Sequence, residues 1–140
     1  MRPLKLIINA FGPYAGKEEI DFTKIKGSNI FVISGPTGAG KTTIFDAISF
    51  ALFGEASGTS RTMESLKSHH AKGTDIAYVE LEFLAKGKKY KIIRKPTQTV
   101  DKVYKNGTIK QIDKKHEAEL YLDDETVISR PSEATSTVIS

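Results

Sequence analysis

Apolar and polar residues alternate over several short stretches of the chain, and the alternation predicts strands. Leu4, Leu6, Ile8 and Ala10 share one parity while Lys5, Ile7, Asn9 and Phe11 share the other, so Leu4 to Phe11 reads as a strand. Turn chemistry follows at Gly12-Pro13-Tyr14-Ala15-Gly16. Glu18 to Phe22 then returns, with Ile20 and Phe22 on one face. From Ala77 to Phe83 the alternation is clean, with Val79, Leu81 and Phe83 opposing Tyr78, Glu80 and Glu82. Lys86-Gly87-Lys88 turns the chain and Tyr90 to Arg94 comes back, which predicts a hairpin. On its second strand Lys89 and Lys91 point together, while Arg94 takes the side of Tyr90 and Ile92. Ala118 to Leu122 and Thr126 to Ile128 form a further strand pair around Asp123-Asp124-Glu125.

Two stretches break this period. Ile30-Phe31-Val32-Ile33 is continuously apolar and rich in β-branched residues, which suits a parallel strand buried on both faces. Between Thr42 and Phe53, Ile44, Ala47, Ile48, Ala51 and Leu52 recur at helical spacing. Gly54 stands where a left-handed helix end belongs. Glu55 to Ser65 is a Gly-, Ser- and Thr-rich loop. Thr97 to Lys115 is polar, basic and poorly patterned, with a turn at Asn106-Gly107, and Pro131-Ser132-Glu133 resembles a helix start. No internal repeat is visible.

Composition narrows the class. With 140 residues, 39% hydrophobic and 27% charged, the chain has material for one domain, or one lobe of a larger one. There is no cysteine, which removes disulfides, thiolate metal sites and cysteine nucleophiles and agrees with a cytoplasmic location. No apolar run approaches the ~20 residues of a membrane span, and Met1 to Ile8 lacks the apolar region of a secretory signal. The net charge of +4 hides an asymmetry. Lys86 to Lys115 holds 11 of the 21 basic residues and 2 of the 17 acidic ones, which suggests a polyanionic partner.

The strongest chemical signal is Gly35-Pro36-Thr37-Gly38-Ala39-Gly40-Lys41-Thr42, which fits G-x-x-x-x-G-K-[ST]. Polyphosphate needs many donors at close range. Glycines let the backbone wrap it with inward N–H groups, and a following helix adds its unpaired first-turn N–H groups and positive end. The context is the one this motif requires: a buried strand ending at Ser34 and a helix opening at Thr42. The predicted nucleotide site is Gly35, Pro36, Thr37, Gly38, Ala39, Gly40, Lys41, Thr42 and Thr43. ATP is the ligand, with Lys41 reaching the β- and γ-phosphates and Thr42 ligating Mg²⁺. Asp46, one turn on, reads as a core-facing or surface acid and not as a metal ligand.

Several segments together resemble a known family. These are Ala10-Phe11-Gly12-Pro13-Tyr14, Ile20-Asp21-Phe22, Gly35 to Gly54 with Asp46-Ala47-Ile48 and Ala51-Leu52-Phe53-Gly54, Glu55-Ala56-Ser57-Gly58 and Lys67-Ser68-His69-His70-Ala71. The hairpin strands Val79 to Phe83 and Lys89 to Arg94 belong to the same likeness. The chain is similar throughout to the N-terminal part of the SbcC family, the ABC-type ATPases of SbcCD exonucleases and relatives of the SMC proteins. The resemblance implies an α/β fold: the N-terminal lobe of an ABC-type head, with a P-loop strand–loop–helix and accompanying antiparallel hairpins. It implies one P-loop lobe over residues 1–140 that stops before the glutamine loop and the coiled coil. It also implies an SbcD-like nuclease partner, a second head in a homodimer, and double-stranded DNA. The aspartate–glutamate pair, signature motif and switch histidine that complete hydrolysis in that family are not found in the sequence. His69 and His70 read as loop residues.

A basic patch on such a lobe has a purpose, and Lys88, Lys89 and Lys91 are the predicted DNA contacts. Two readings compete with the SbcC-like one. A small P-loop phosphotransferase needs an arginine-rich lid, and the chain has only Arg2, Arg61, Arg94 and Arg130. A non-catalytic interaction module keeping a nucleotide loop is the other.

Overall fold

The computed structural model describes residues 2–12, 14–24, 39–54, 72–123 and 125–128. The apolar run Ile30 to Ile33, the Glu55 to Ser65 loop and the start of a helix at Pro131 lie outside the described residues.

Alternation in the chain becomes a six-stranded sheet. Its strands are β1 (Arg2–Asn9), β2 (Lys17–Asp21), β3 (Tyr78–Ala85), β4 (Lys88–Lys95), β7 (Glu117–Leu122) and β8 (Glu125–Ile128). They stand in the order β2-β1-β3-β4-β7-β8, and every neighbouring pair is antiparallel. The fold of the described residues is thus mixed α/β and mostly antiparallel, with one long helix, α1 (Ala39–Phe53). A short 3-10 turn, Phe22–Lys24, follows β2, so Phe22 leaves the strand while staying buried in the core.

Register decides which residues meet. Leu6 pairs with Leu81, Leu81 with Ile92, and Ile92 with Leu120, so four strands put aliphatic residues side by side on one face. Helix α1 lies on that face and adds Ala47, Phe50 and Ala51 to the core. Phe50 packs near Phe11, ring centroids 6.0 Å apart. At the far end Phe83 stacks on Tyr90 at 5.5 Å. Two small residues on α1 let it sit close to the sheet, and removing a ring such as Phe50 from so dense a core costs roughly 3–5 kcal/mol.

The opposite face is charged and mixed. Lys5 lies 3.2 Å from Glu19, Lys91 3.7 Å from Glu80 and Lys95 3.9 Å from Glu117. Such pairs on an exposed surface contribute little to stability, and they do define a solvent-facing side. Ile7 sits on this face by parity and is buried all the same, because β2 and β3 flank it on both sides.

The largest departure from the sequence pattern falls between Thr97 and Lys115. That stretch forms a hairpin of its own, β5 (Gln98–Val103) and β6 (Ile109–Lys114), in a separate two-stranded sheet. Its one apolar pair below the tip is Val100 opposite Ile112. With so little alternation, the period is invisible to a sequence reading. Its base is tied down by hydrogen bonds instead. The buried Gln98 amide accepts from the Ala77 N–H at 2.8 Å and donates to the Ala77 carbonyl at 3.0 Å, imitating a strand neighbour. The Asp101 N–H donates to the Gly73 carbonyl at 2.9 Å.

The β3–β4 connection is a two-residue turn with positive φ at both central residues, Lys86 (53°) and Gly87 (74°). This is the turn whose twist suits a hairpin, and it prefers Asn at the first position, where a lysine is strained. Lys86→Asn is therefore expected to raise stability by a few tenths to about 1 kcal/mol. An unchanged or lower urea midpoint would contradict that.

Candidate nucleotide site

The core face of the sheet fixes α1, and α1 fixes the motif residues. The helix begins at Ala39, three residues ahead of the start expected at Thr42. Ala39, Gly40, Lys41, Thr42 and Thr43 therefore occupy its first turns. The leading N–H groups there have no carbonyl within the helix to bond, and the macrodipole is positive. These are donors of the kind a phosphate group requires. Gly35, Pro36, Thr37 and Gly38 lie outside the described residues. Asp46 faces inward and is fully buried.

At its other end α1 is held by a residue that sequence reasoning placed on the right face without seeing its role. Arg94 is 0% exposed, the largest fully enclosed side chain among the described residues. Its Nε–H donates to the Ala51 carbonyl at 3.0 Å, across 43 residues of sequence. A cation at the C-terminal turn of a helix meets the negative end of the macrodipole. Burial pushes the Arg94 guanidinium down to about 10, which leaves it charged at neutral pH.

His116 completes this tie. Its Nε2 lies 3.1 Å from Arg94 Nη1. A guanidinium can only donate, so Nε2 accepts and the ring proton sits on Nδ1. The ring stacks on Phe50 at 5.8 Å. Burial, with Arg94 adding to it, pushes the His116 imidazole down to about 4 from an ordinary 6.5. Gly54 ends the helix at φ 80°, with its N–H on the Phe50 carbonyl at 2.8 Å. A Cβ there would stand 3.2 Å from Arg94 Nη1 and 3.3 Å from His116 Cε1, so a side chain is unwelcome both sterically and conformationally.

The predicted DNA contacts divide between two faces. Lys89 and Lys91 share the outer face, opposite Leu84 and Glu82. Lys88 starts β4 opposite Ala85, on the side of Tyr90 and Ile92. Lys91 is already engaged, with Glu80 at 3.7 Å and its ammonium 4.9 Å over the Tyr121 ring. His69 and His70 lie outside the described residues. Among the described residues no group of three His, Cys, Asp or Glu side chains is placed to hold a metal, and no helix is long and apolar enough to cross a membrane.

Residues 5–138 match the AAA domain family, and the chain belongs to it. Among curated proteins it is similar to the SbcC component of the SbcCD nuclease of Vibrio cholerae serotype O1, 41% identical over 143 residues, covering 99% of this chain and 14% of that protein. It is also similar to the SbcC component of the SbcCD nuclease of Staphylococcus aureus strain MRSA252, 50% identical over 94 residues, covering 67% of this chain and 9% of that protein. The chain thus spans about a seventh or less of the length of these relatives, and it is an SbcC-like AAA segment.

Two outcomes follow from the Arg94–His116 tie. Arg94→Met strands the Ala51 carbonyl and the His116 nitrogen, and each buried polar group left alone costs roughly 1–3 kcal/mol. The urea midpoint should fall accordingly. As pH drops, the unfolded chain protonates His116 near 6.5 while the folded chain resists to about 4. Its contribution is therefore complete above 6.5 and is lost as pH falls through 4. His116→Gln, which keeps an acceptor for Arg94, should flatten stability against pH in that window. A slope identical to wild type would contradict the assignment.

Proposed function

We propose that this chain is the ATP-holding segment of an SbcC-like ATPase. In that reading the backbone from Gly35 to Gly40 wraps the phosphates, Lys41 neutralises the β- and γ-phosphates, Thr42 holds Mg²⁺ and Thr43 continues the helix start. The supporting observation is that α1 opens at Ala39, inside the glycine–lysine–threonine run, in a chain whose AAA match covers residues 5–138. Magnesium bound there supplies charge neutralisation between the phosphates.

The relatives are named as parts of the SbcCD nuclease, and that name extends the proposal. The chain works beside an SbcD-like nuclease and a second ATPase head, in the cytoplasm, on double-stranded DNA ends and hairpins during repair. ATP hydrolysis belongs to the assembled protein. Lys88, Lys89 and Lys91 are proposed as phosphate contacts to that DNA, Lys91 while sharing its charge with Glu80. A small phosphotransferase fits less well, because the described strands pair only antiparallel and carry no βαβ repeat.

Isothermal titration with Mg·ATP tests the proposal. The wild-type chain is expected to bind and Lys41→Ala to lose most of the affinity, while equal affinities would overturn it. This chain alone is expected to show no turnover above a Lys41→Ala control. Rates of about 1 s⁻¹, ordinary for phosphoryl transfer, would contradict that.

A further inference from the structure

Arg94 stands where a central strand ordinarily carries an apolar residue. It lies on β4 between Val79 of β3 and Ala118 of β7, both buried, and shares the core face with Tyr90 and Ile92. Taking a guanidinium out of water is costly, and an apolar side chain of similar volume at such a position is often neutral or stabilising. Stability alone therefore gives no reason for an arginine here. What an apolar residue does not supply is direction. Contacts through Ala47 and Ala51 hold α1 against the sheet, but apolar attraction is non-directional and leaves a helix able to slide and turn on the face beneath it. A hydrogen bond has a preferred distance and angle. The Nε–H of Arg94, donating to the Ala51 carbonyl at 3.0 Å, fixes α1 both along its axis and about it.

The guanidinium is itself fixed from the other side. His116 Nε2 lies 3.1 Å from Nη1, and the imidazole stacks on Phe50, a residue of α1. Gly54, which ends the helix, leaves space for both groups, since a Cβ there would stand 3.2 Å from Nη1 and 3.3 Å from His116 Cε1. The central strand, the residue that leads into β7 and the end of α1 thus meet at one point. From Ala51 back to Thr42 is about 14 Å of helix axis. A hydrogen-bonded helix of that length carries a slide or rotation at one end to the other. Groups that must meet a ligand in a set geometry are sensitive to such shifts, and a misplacement of about 1 Å can cost roughly 100-fold.

We propose that Arg94, with His116 behind it, is a positioning residue for nucleotide: it sets the place of α1 on the sheet and so the placement of the phosphate donors at Ala39 to Thr43. The proposal rests on the reading of Gly35 to Thr43 as the nucleotide site. Arg94 acts through the Ala51 carbonyl and the length of the helix, and not by touching the ligand.

The test is calorimetric titration with Mg·ATP on the full chain, well below its thermal midpoint, comparing Arg94→Met with Ile7→Ala. Ile7 is buried on the opposite face of the sheet, so its truncation lowers stability without touching the tie. Arg94→Met is expected to weaken binding by about tenfold or more, toward the roughly 100-fold of a 1 Å displacement. Ile7→Ala should stay within about twofold of wild type, as distant sites do. Without nucleotide, the backbone amide shifts of Ala39 to Thr43 should move in Arg94→Met and hold in Ile7→Ala, a change that lost stability alone does not produce. If Arg94→Met does not fold, His116→Leu carries the test: it removes the acceptor behind the guanidinium and should weaken Mg·ATP several-fold, with affinity restored in His116→Gln. Wild-type affinity in Arg94→Met or His116→Leu, while Lys41→Ala loses binding, would overturn the positioning role and leave the nucleotide site standing. Equal weakening in Ile7→Ala would overturn it in favour of a purely structural role. No Mg·ATP binding by the wild-type chain would overturn the nucleotide reading and this proposal together.

Discussion

A single buried guanidinium joins the two halves of this fold. Arg94 belongs to a central strand, and its Nε–H holds the carbonyl of Ala51 at the end of α1. An unpaired charge in that position would be prohibitively costly. The surroundings answer it with a helix C-terminus, a neutral histidine and a glycine that leaves room. Each of these depends on the others. His116 must stay unprotonated to accept, Gly54 must lack a side chain for the guanidinium to fit, and Phe50 must stack on the imidazole to hold it. Because one end of α1 is fixed in this way, and its flank is packed through Ala47 and Phe50, the position of its first turn follows.

That geometry assigns different tasks to the two ends of one helix. The C-terminal end carries negative character and takes a permanent internal cation. The N-terminal end carries positive character and begins inside the glycine-rich run, where a polyphosphate would find donors. A helix held rigidly at one end suits the repeated binding and release of a charged ligand at the other. Residues 102–110, the outer part of the β5–β6 hairpin, are exposed, while its base is tied to Ala77 and Gly73.

Much of this was legible in the chain. The β3–β4 hairpin followed from strict alternation between Val79 and Phe83, and the face of Arg94 followed from the parity of Tyr90 and Ile92. The helix was legible from Ile44 to Leu52, although its first turn was not, because Ala39 and Gly40 carry no periodic signal. The partner of Arg94 could not be read, since the carbonyl it bonds lies 43 residues away and a carbonyl is common to every residue. The β5–β6 hairpin was hidden for a different reason. Val100 and Ile112 are its one apolar pair below the tip, and the Gln98 amide does the work that aliphatic residues do elsewhere. The glycine–lysine–threonine pattern reads in the sequence because its spacing is set by phosphate geometry and not by packing, and its Gly35 to Gly38 part lies outside the described residues.

If nucleotide is received at the leading end of α1, whose trailing end is anchored by Arg94, the two ends should respond differently to it. Hydrogen–deuterium exchange with and without Mg·ATP measures this most directly. Slowed exchange at the backbone amides of Gly35 to Thr43, with no change at Phe50 to Gly54 or on the outer sheet face, is the result expected. Protection confined to the β5–β6 hairpin or the outer face, or none anywhere at saturating nucleotide, would contradict the account.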